Sequence, residues 1–213
     1  MRKRYLVIGV LGVALAGALS VGWLRTTRFA DWPSPVQSMV CGTLAPNADR
    51  VASTGSEGWY APHWRAAEEP LLASSARGEG ADGRRVVRFT WLPTFDAPVI
   101  VRLSTDVSGI TTMTATQLTG QGGYEPGGVA RRVVRQLTAA ERARVDAMIR
   151  DSRVFDQRPT LCSAGLDGSE WIAEAVDGSG YHYVDRWSPE DGPSRVFGMH
   201  MLGLTGWRFS RIY

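Results

Sequence analysis

Asp177-Gly178-Ser179-Gly180 lies between two seven-residue runs, EWIAEAV (170–176) and YHYVDRW (181–187), and no other stretch restricts the fold so tightly. Asp-Gly and Gly-Ser are turn residues that tolerate positive φ, and the aromatic and β-branched residues on either side suit strands. The pattern predicts a β-hairpin. Placing Val176 opposite Tyr181 sets the register, and period-two alternation then assigns each side chain to a face. One face carries Trp171, Ala173 and Ala175 against Arg186, Val184 and His182. It reads as core, with small alanines beneath another element and Trp171 opposite Arg186, a pairing that suits a cation–π contact. The other carries Glu170, Ile172, Glu174 and Val176 against Trp187, Asp185, Tyr183 and Tyr181, so acids and rings mix there.

Two readings compete for that second face. Glu170 and Glu174 point the same way, two strand steps apart, with an expected separation of roughly 7 Å. Paired carboxylates on that scale serve glycoside hydrolysis, which makes Glu170 and Glu174 the candidate catalytic residues. Tyr181, Tyr183 and Trp187 are the candidate rings for stacking a ligand. The plainer expectation is a sheet face whose acids meet water or arginine, with no catalytic role.

Upstream, RVVRFTWL (85–92), APVIVRLST (97–105), GITTMTATQL (109–118) and VARRVVRQL (129–137) predict four further strands. Val87, Phe89 and Trp91 share one face of the first; Val99, Val101 and Leu103 share one face of the second. The period then changes. Thr138-Ala139-Ala140-Glu141 is a capping box, and Val145, Met148 and Ile149 follow at helical spacing, predicting a helix over 139–151. After the hairpin, PSRVFGMHMLGLTGW predicts a short C-terminal helix from near Pro193, ending near Gly203 and Gly206. The expected fold is α+β: an antiparallel sheet with one packed helix and a short C-terminal helix, over residues 85–213. Residues 29–84 read as a linker or irregular region. Within them GWYAPHWR (58–65) reads as a loop tucking its rings onto the domain, and ASSARGEGADG (73–83) as surface loop.

The N-terminus carries a different message. Tyr5–Leu24 holds 20 residues without a charge, the ~20 needed to cross a ~30 Å hydrocarbon core. Tyr5 and Trp23 stand at its ends, where rings favour the interface, and three basic residues precede it against two after it. Residues 1–28 are therefore expected to be an uncleaved anchor, with residues 5–24 in a bacterial inner membrane and the domain in the periplasm. The alternative is a signal peptide cleaved near Ala18 or Ser20, giving a secreted or periplasmic module. Either way Cys41 and Cys162 reach an oxidising compartment, and a Cys41–Cys162 disulfide is expected. Closing so long a loop would stabilise the fold by roughly 5 kcal/mol on the chain-entropy estimate.

Charge and composition exclude several chemistries. Five of the 24 basic residues lie in the first 28 positions, leaving nineteen arginines against 21 acids in the rest. The body is slightly acidic, so no nucleic-acid partner is expected. Lys3 is the one lysine, which leaves the domain without a Schiff-base, Ser-x-x-Lys or P-loop lysine. TGQGGYEPGG (119–128) departs from the dinucleotide fingerprint, because Glu125 occupies its last glycine. His63, His182 and His200 have no metal-ligand spacing. No metal and no cofactor is expected.

The run Asp167, Gly168, Trp171, Glu174, Tyr181, Arg186, Trp187, Ser188 and Pro189 resembles a pattern shared by a group of small proteobacterial proteins of no known activity, and RFTWLPTFDAPVIVRL (88–103) is similar to it in character. The likeness spans about residues 85–205. It implies that the hairpin is a shared structural signature, and it brings no activity. The functional expectation is a non-catalytic, envelope-associated domain that meets an envelope protein or polymer. A periplasmic hydrolase of a carbohydrate polymer is the alternative.

Overall fold

The computed structural model describes residues 60–75, 84–159 and 167–213. The expected membrane segment and both cysteines lie outside these residues. Among the described residues no helix is long and apolar enough to cross a membrane.

Six strands form one antiparallel sheet: β1 (Arg85–Pro93), β2 (Val99–Thr105), β3 (Thr111–Leu118), β4 (Val129–Gln136), β5 (Ser169–Asp177) and β6 (Gly180–Trp187). Their order is β4-β3-β2-β1-β5-β6. Each predicted strand is present within a residue or two, and the hairpin has the predicted register, with Val176 opposite Tyr181, Glu174 opposite Tyr183 and Ile172 opposite Asp185. β1 to β4 run as a meander. The chain then crosses a helical layer and returns beside β1, so Arg88 of β1 faces Glu174 of β5 directly.

The helices are α1 (Ala61–Ala66), α2 (Leu72–Ser75), α3 (Ala139–Ser152) and α4 (Gly192–Leu204), with a 3₁₀ turn at Val154–Asp156. The α3 start is the predicted capping box: the Thr138 hydroxyl accepts from Glu141 N–H, and the Glu141 carboxylate accepts from Thr138 N–H at 2.8 Å. Val145 and Met148 are its buried residues, with Ile149 packed against the core beside them. α4 is the predicted terminal helix, starting beside Pro193 and ending at Leu204, before Gly206. It runs 13 residues, and Phe197, Met201 and Leu202 bury its inner face on the sheet. Gly198 permits the approach, since a Cβ there would stand 2.4 Å from the Trp171 ring and 2.6 Å from Phe89.

α3, α4 and the 3₁₀ turn cover the face predicted to be core. Phe89 lies at its centre, with ring centroids 5.3 Å from Trp171 and 5.8 Å from Phe197. Each such fully buried aromatic is worth on the order of 2–3 kcal/mol in transfer terms. Trp171 does take a cation, but it is Arg195 of α4, 4.8 Å from the ring centroid, rather than Arg186. Arg186 instead donates to the Arg158 carbonyl at 2.8 Å and to Gln157 Oε1 at 3.3 Å, because its edge strand runs beside that loop.

The second face is covered too, and this revises the boundary at residue 85. Residues 60–72, assigned to the irregular region, lie across the sheet. Tyr60, Trp64 and Leu72 are 0–1% exposed, and Tyr60, Ala61 and Trp64 cluster with Ile100, Leu118 and Ile172. The rings tuck onto the domain as expected, but from the short helix α1 rather than from a loop. Trp64 also donates through its indole N–H to Thr90 Oγ1 at 2.8 Å. The domain is thus three layers: two helices, a sheet and a short clasp.

Candidate functional site

The acidic hairpin face lies beneath the clasp. Arg88, fully buried in β1, extends between sheet and clasp and donates through Nε to Glu174 Oε2 at 2.6 Å and through Nη2 to Oε1 at 2.8 Å. The same guanidinium donates to the Pro70 carbonyl at 2.7 Å and stacks 4.4 Å from the Trp64 centroid. Glu69 of the clasp is 3.5 Å from Arg88 and accepts from Arg102 Nε at 2.9 Å. The Tyr181 hydroxyl donates to Glu174 Oε1 at 2.9 Å. Burial alone would lower the Arg88 pKa, but Glu174, and after it Glu69, more than offset this and hold it above its ordinary value. An isolated ion transferred here would cost several kcal/mol, and the bidentate pairing offsets that. At the sheet's far edge, Arg132 donates to Glu68 at 2.6 Å and to the Ala67 carbonyl at 2.9 Å, fastening the clasp's other side.

A second polar group lies nearer the open end of the hairpin. Glu170 and Asp185 are both buried on the same face. The Tyr183 hydroxyl donates to Asp185 Oδ2 at 3.0 Å. The Tyr60 hydroxyl is buried beside Tyr183 and Asp185 without a hydrogen bond of good geometry. Burial, and then the Asp185 charge, push the Glu170 carboxyl well above its ordinary value, with Arg186 opposing. Glu170 is therefore held towards its protonated form.

These positions separate the two candidate catalytic carboxylates. The expected 7 Å between Glu170 and Glu174 fails: four residues at ~3.4 Å span ~14 Å, and Ile172 stands between them on that face, fully buried. Both Glu174 oxygens are engaged by Arg88 and Tyr181. The candidate rings divide as well. Tyr183 is buried at 6% exposure and Tyr181 is tied to Glu174. Trp187 lies against Gly168, where a Cβ would come within 2.7 Å of its ring. The expected arginine pairing of this face is present at Glu174. Among the described residues no three His, Cys, Asp or Glu side chains group as metal ligands.

The exposed ring pair is elsewhere. Phe95 and Tyr124 are 48% and 60% exposed, with centroids 6.2 Å apart and planes tilted by 31°. Phe95 sits on the β1–β2 turn and Tyr124 on the glycine loop 119–128. That loop lies flat on the turn. Gly122 N–H donates to the Pro93 carbonyl at 2.8 Å, Gly123 N–H to the Thr94 carbonyl at 3.1 Å, and Gln121 Nε2 to the Phe95 carbonyl at 3.1 Å. A Cβ at Gly122 would stand 2.4 Å from the Leu92 backbone, so only glycine permits this contact. Beside the pair, the Tyr213 hydroxyl donates to Asp96 at 2.9 Å, and Arg211 lies over the Tyr213 ring at 4.4 Å. Sequence reasoning missed this platform. Its signal was available in the glycines of a loop with no phosphate context, followed at once by an aromatic residue.

No family model matches the chain, and no curated protein is significantly similar to it.

Proposed function

We propose that the chain is a single-pass envelope protein, anchored by residues 5–24, whose periplasmic α+β domain binds an envelope polymer without chemical turnover. The observation that carries binding is the exposed Phe95–Tyr124 pair on a rigid turn. Contiguous exposed rings of this kind are a recognition feature, unlike apolar residues scattered singly. Two ring faces flanked by a carboxylate and a phenol suit the apolar face and hydroxyl rim of a sugar in a polysaccharide. The non-catalytic reading is supported by the fate of the acidic face, which holds the clasp in place. The resemblance to small proteobacterial proteins supports the bacterial setting, and the uncharged segment beside basic residues supports the anchor.

The test of binding is co-sedimentation of the full chain, in detergent, with purified peptidoglycan sacculi. The chain is expected in the pellet, and a Phe95→Ala/Tyr124→Ala variant in the supernatant with unchanged circular dichroism. Wild-type protein that stays in the supernatant, or a variant that pellets equally, would refute polymer binding at this pair. Fractionation tests the anchor: recovery in the soluble periplasm overturns it in favour of cleavage. A disulfide between Cys41 and Cys162 belongs to the same proposal, and Cys41→Ser should then change mobility on a non-reducing gel.

A further inference from the structure

We propose that the groove between α3 and α4 is a binding site for a small oxyanion, a phosphate or carboxylate group held between Arg144 and His200. The groove encloses about 460 Å³, within the ~300–1,000 Å³ of small-molecule sites. Arg135 of β4, Glu141 and Arg144 of α3, and His200 of α4 supply its charged and titratable lining.

Two of these groups neutralise each other. Arg135 clamps Glu141 with bonds of 2.7 and 3.0 Å and also donates to the Leu204 carbonyl at 3.1 Å, which occupies the negative end of α4. Arg144, three residues beyond Glu141 on the exposed side of α3, has no such partner among the described residues, so the groove keeps one uncompensated positive charge. His200 Nε2 is buried without a hydrogen-bond partner. Burial, and then the charge of Arg144, hold the imidazole below its ordinary pKa. An oxyanion beside Arg144 cancels that repulsion, so anion and proton bind His200 and its surroundings cooperatively. The end of α4 leaves room for the ligand. A Cβ at Gly203 or Gly206 would meet nothing within 4 Å.

The experiment is an NMR titration of the histidine Cε1–H signals of the full chain with inorganic phosphate, chloride holding ionic strength constant. The His200 signal, identified by His200→Gln, should shift saturably while those of His63 and His182 stay fixed. Its titration midpoint should rise in the presence of phosphate. Arg144→Ala removes an exposed side chain and should weaken binding about tenfold or more, the loss typical of a charge-assisted hydrogen bond. Gly203→Leu fills the groove without altering any charge and should abolish the response. A His200 signal that does not move, a response that chloride reproduces, or binding that survives both substitutions would each overturn the site.

Discussion

The sheet's two covers reach the same end by different physics. Beneath α3 and α4 the strands present Phe89, Trp91, Trp171 and Val184, and the helices answer with Phe197, Met201 and Val145. Beneath the clasp the same strands present Arg88, Thr90, Glu170, Glu174 and Asp185, all buried. The first cover is non-directional and needs volume to match. The second is directional, because each buried polar group needs a particular partner at a particular angle. A dense set of acids on a strand is therefore no sign of catalysis when the partner strand supplies an arginine in register. Here it marks the place where another segment of the chain is latched.

That contrast breaks most readily at Glu174. Glu174→Ala removes the bidentate partner of the buried Arg88 guanidinium, leaving it only the Pro70 carbonyl at 2.7 Å and Glu69 at 3.5 Å, and should destabilise the domain by about 3 kcal/mol. Replacing both partners, Arg88→Met with Glu174→Leu, should recover most of this, because a well-packed apolar pair removes the desolvation penalty as well as the attraction. Urea-unfolding midpoints measure both, and a double variant as unstable as the single one would show that the network is more than a latch.

The apolar face should respond to volume instead. Gly198→Ala drives a methyl group into Trp171 and Phe89 and should cost about 1–3 kcal/mol, with little dependence on salt or pH in the same assay.

The helix N-terminus supplies a smaller step. Thr138→Ala removes one half of the capping box and should cost about 1 kcal/mol. The other half adds a pH dependence. Arg135, and then Thr138, hold the Glu141 carboxyl down at about 2. A depressed carboxylate contributes stability above its unfolded pKa and loses it as pH falls towards 2, so Glu141→Gln should flatten the acid limb of the stability curve.

Glu170 should show the opposite sign. Its raised pKa means that the folded state binds the proton more tightly than the unfolded chain. It therefore favours folding most below the unfolded value near 4.5 and loses that advantage as pH rises towards the folded pKa. Glu170→Gln should gain on the wild type as pH rises from 4 to 8 and show no advantage at pH 4. Parallel wild-type and variant curves in chemical denaturation would contradict the buried acid pair.

Local rules carried much of the fold. Strand positions, the hairpin register, the capping box and the core face all follow from interactions within about ten residues, where turn chemistry and alternation act. The shortfalls have a common origin in distance. Arg88 and Glu174 stand 86 residues apart, and neither residue signals that β5 returns beside β1. Arg186 opposes Trp171 in register, yet its length lets it reach the carbonyls of a loop beside the edge strand. Tyr124 looked like loop filling because its meaning depends on the β1–β2 turn beneath it.

By itself the sequence determined the element types, the hairpin and its two faces, because these depend on periods of two and 3.6 and on backbone stereochemistry. It also determined that the domain chemistry proceeds without lysine. Only the tertiary structure decided that the acidic face is closed, since closure requires a clasp, an arginine and a glutamate from three distant stretches to meet. The same holds for the exposed Phe95–Tyr124 pair and for the uncompensated charge of Arg144, because what a side chain meets is set by packing and not by its neighbours in the chain.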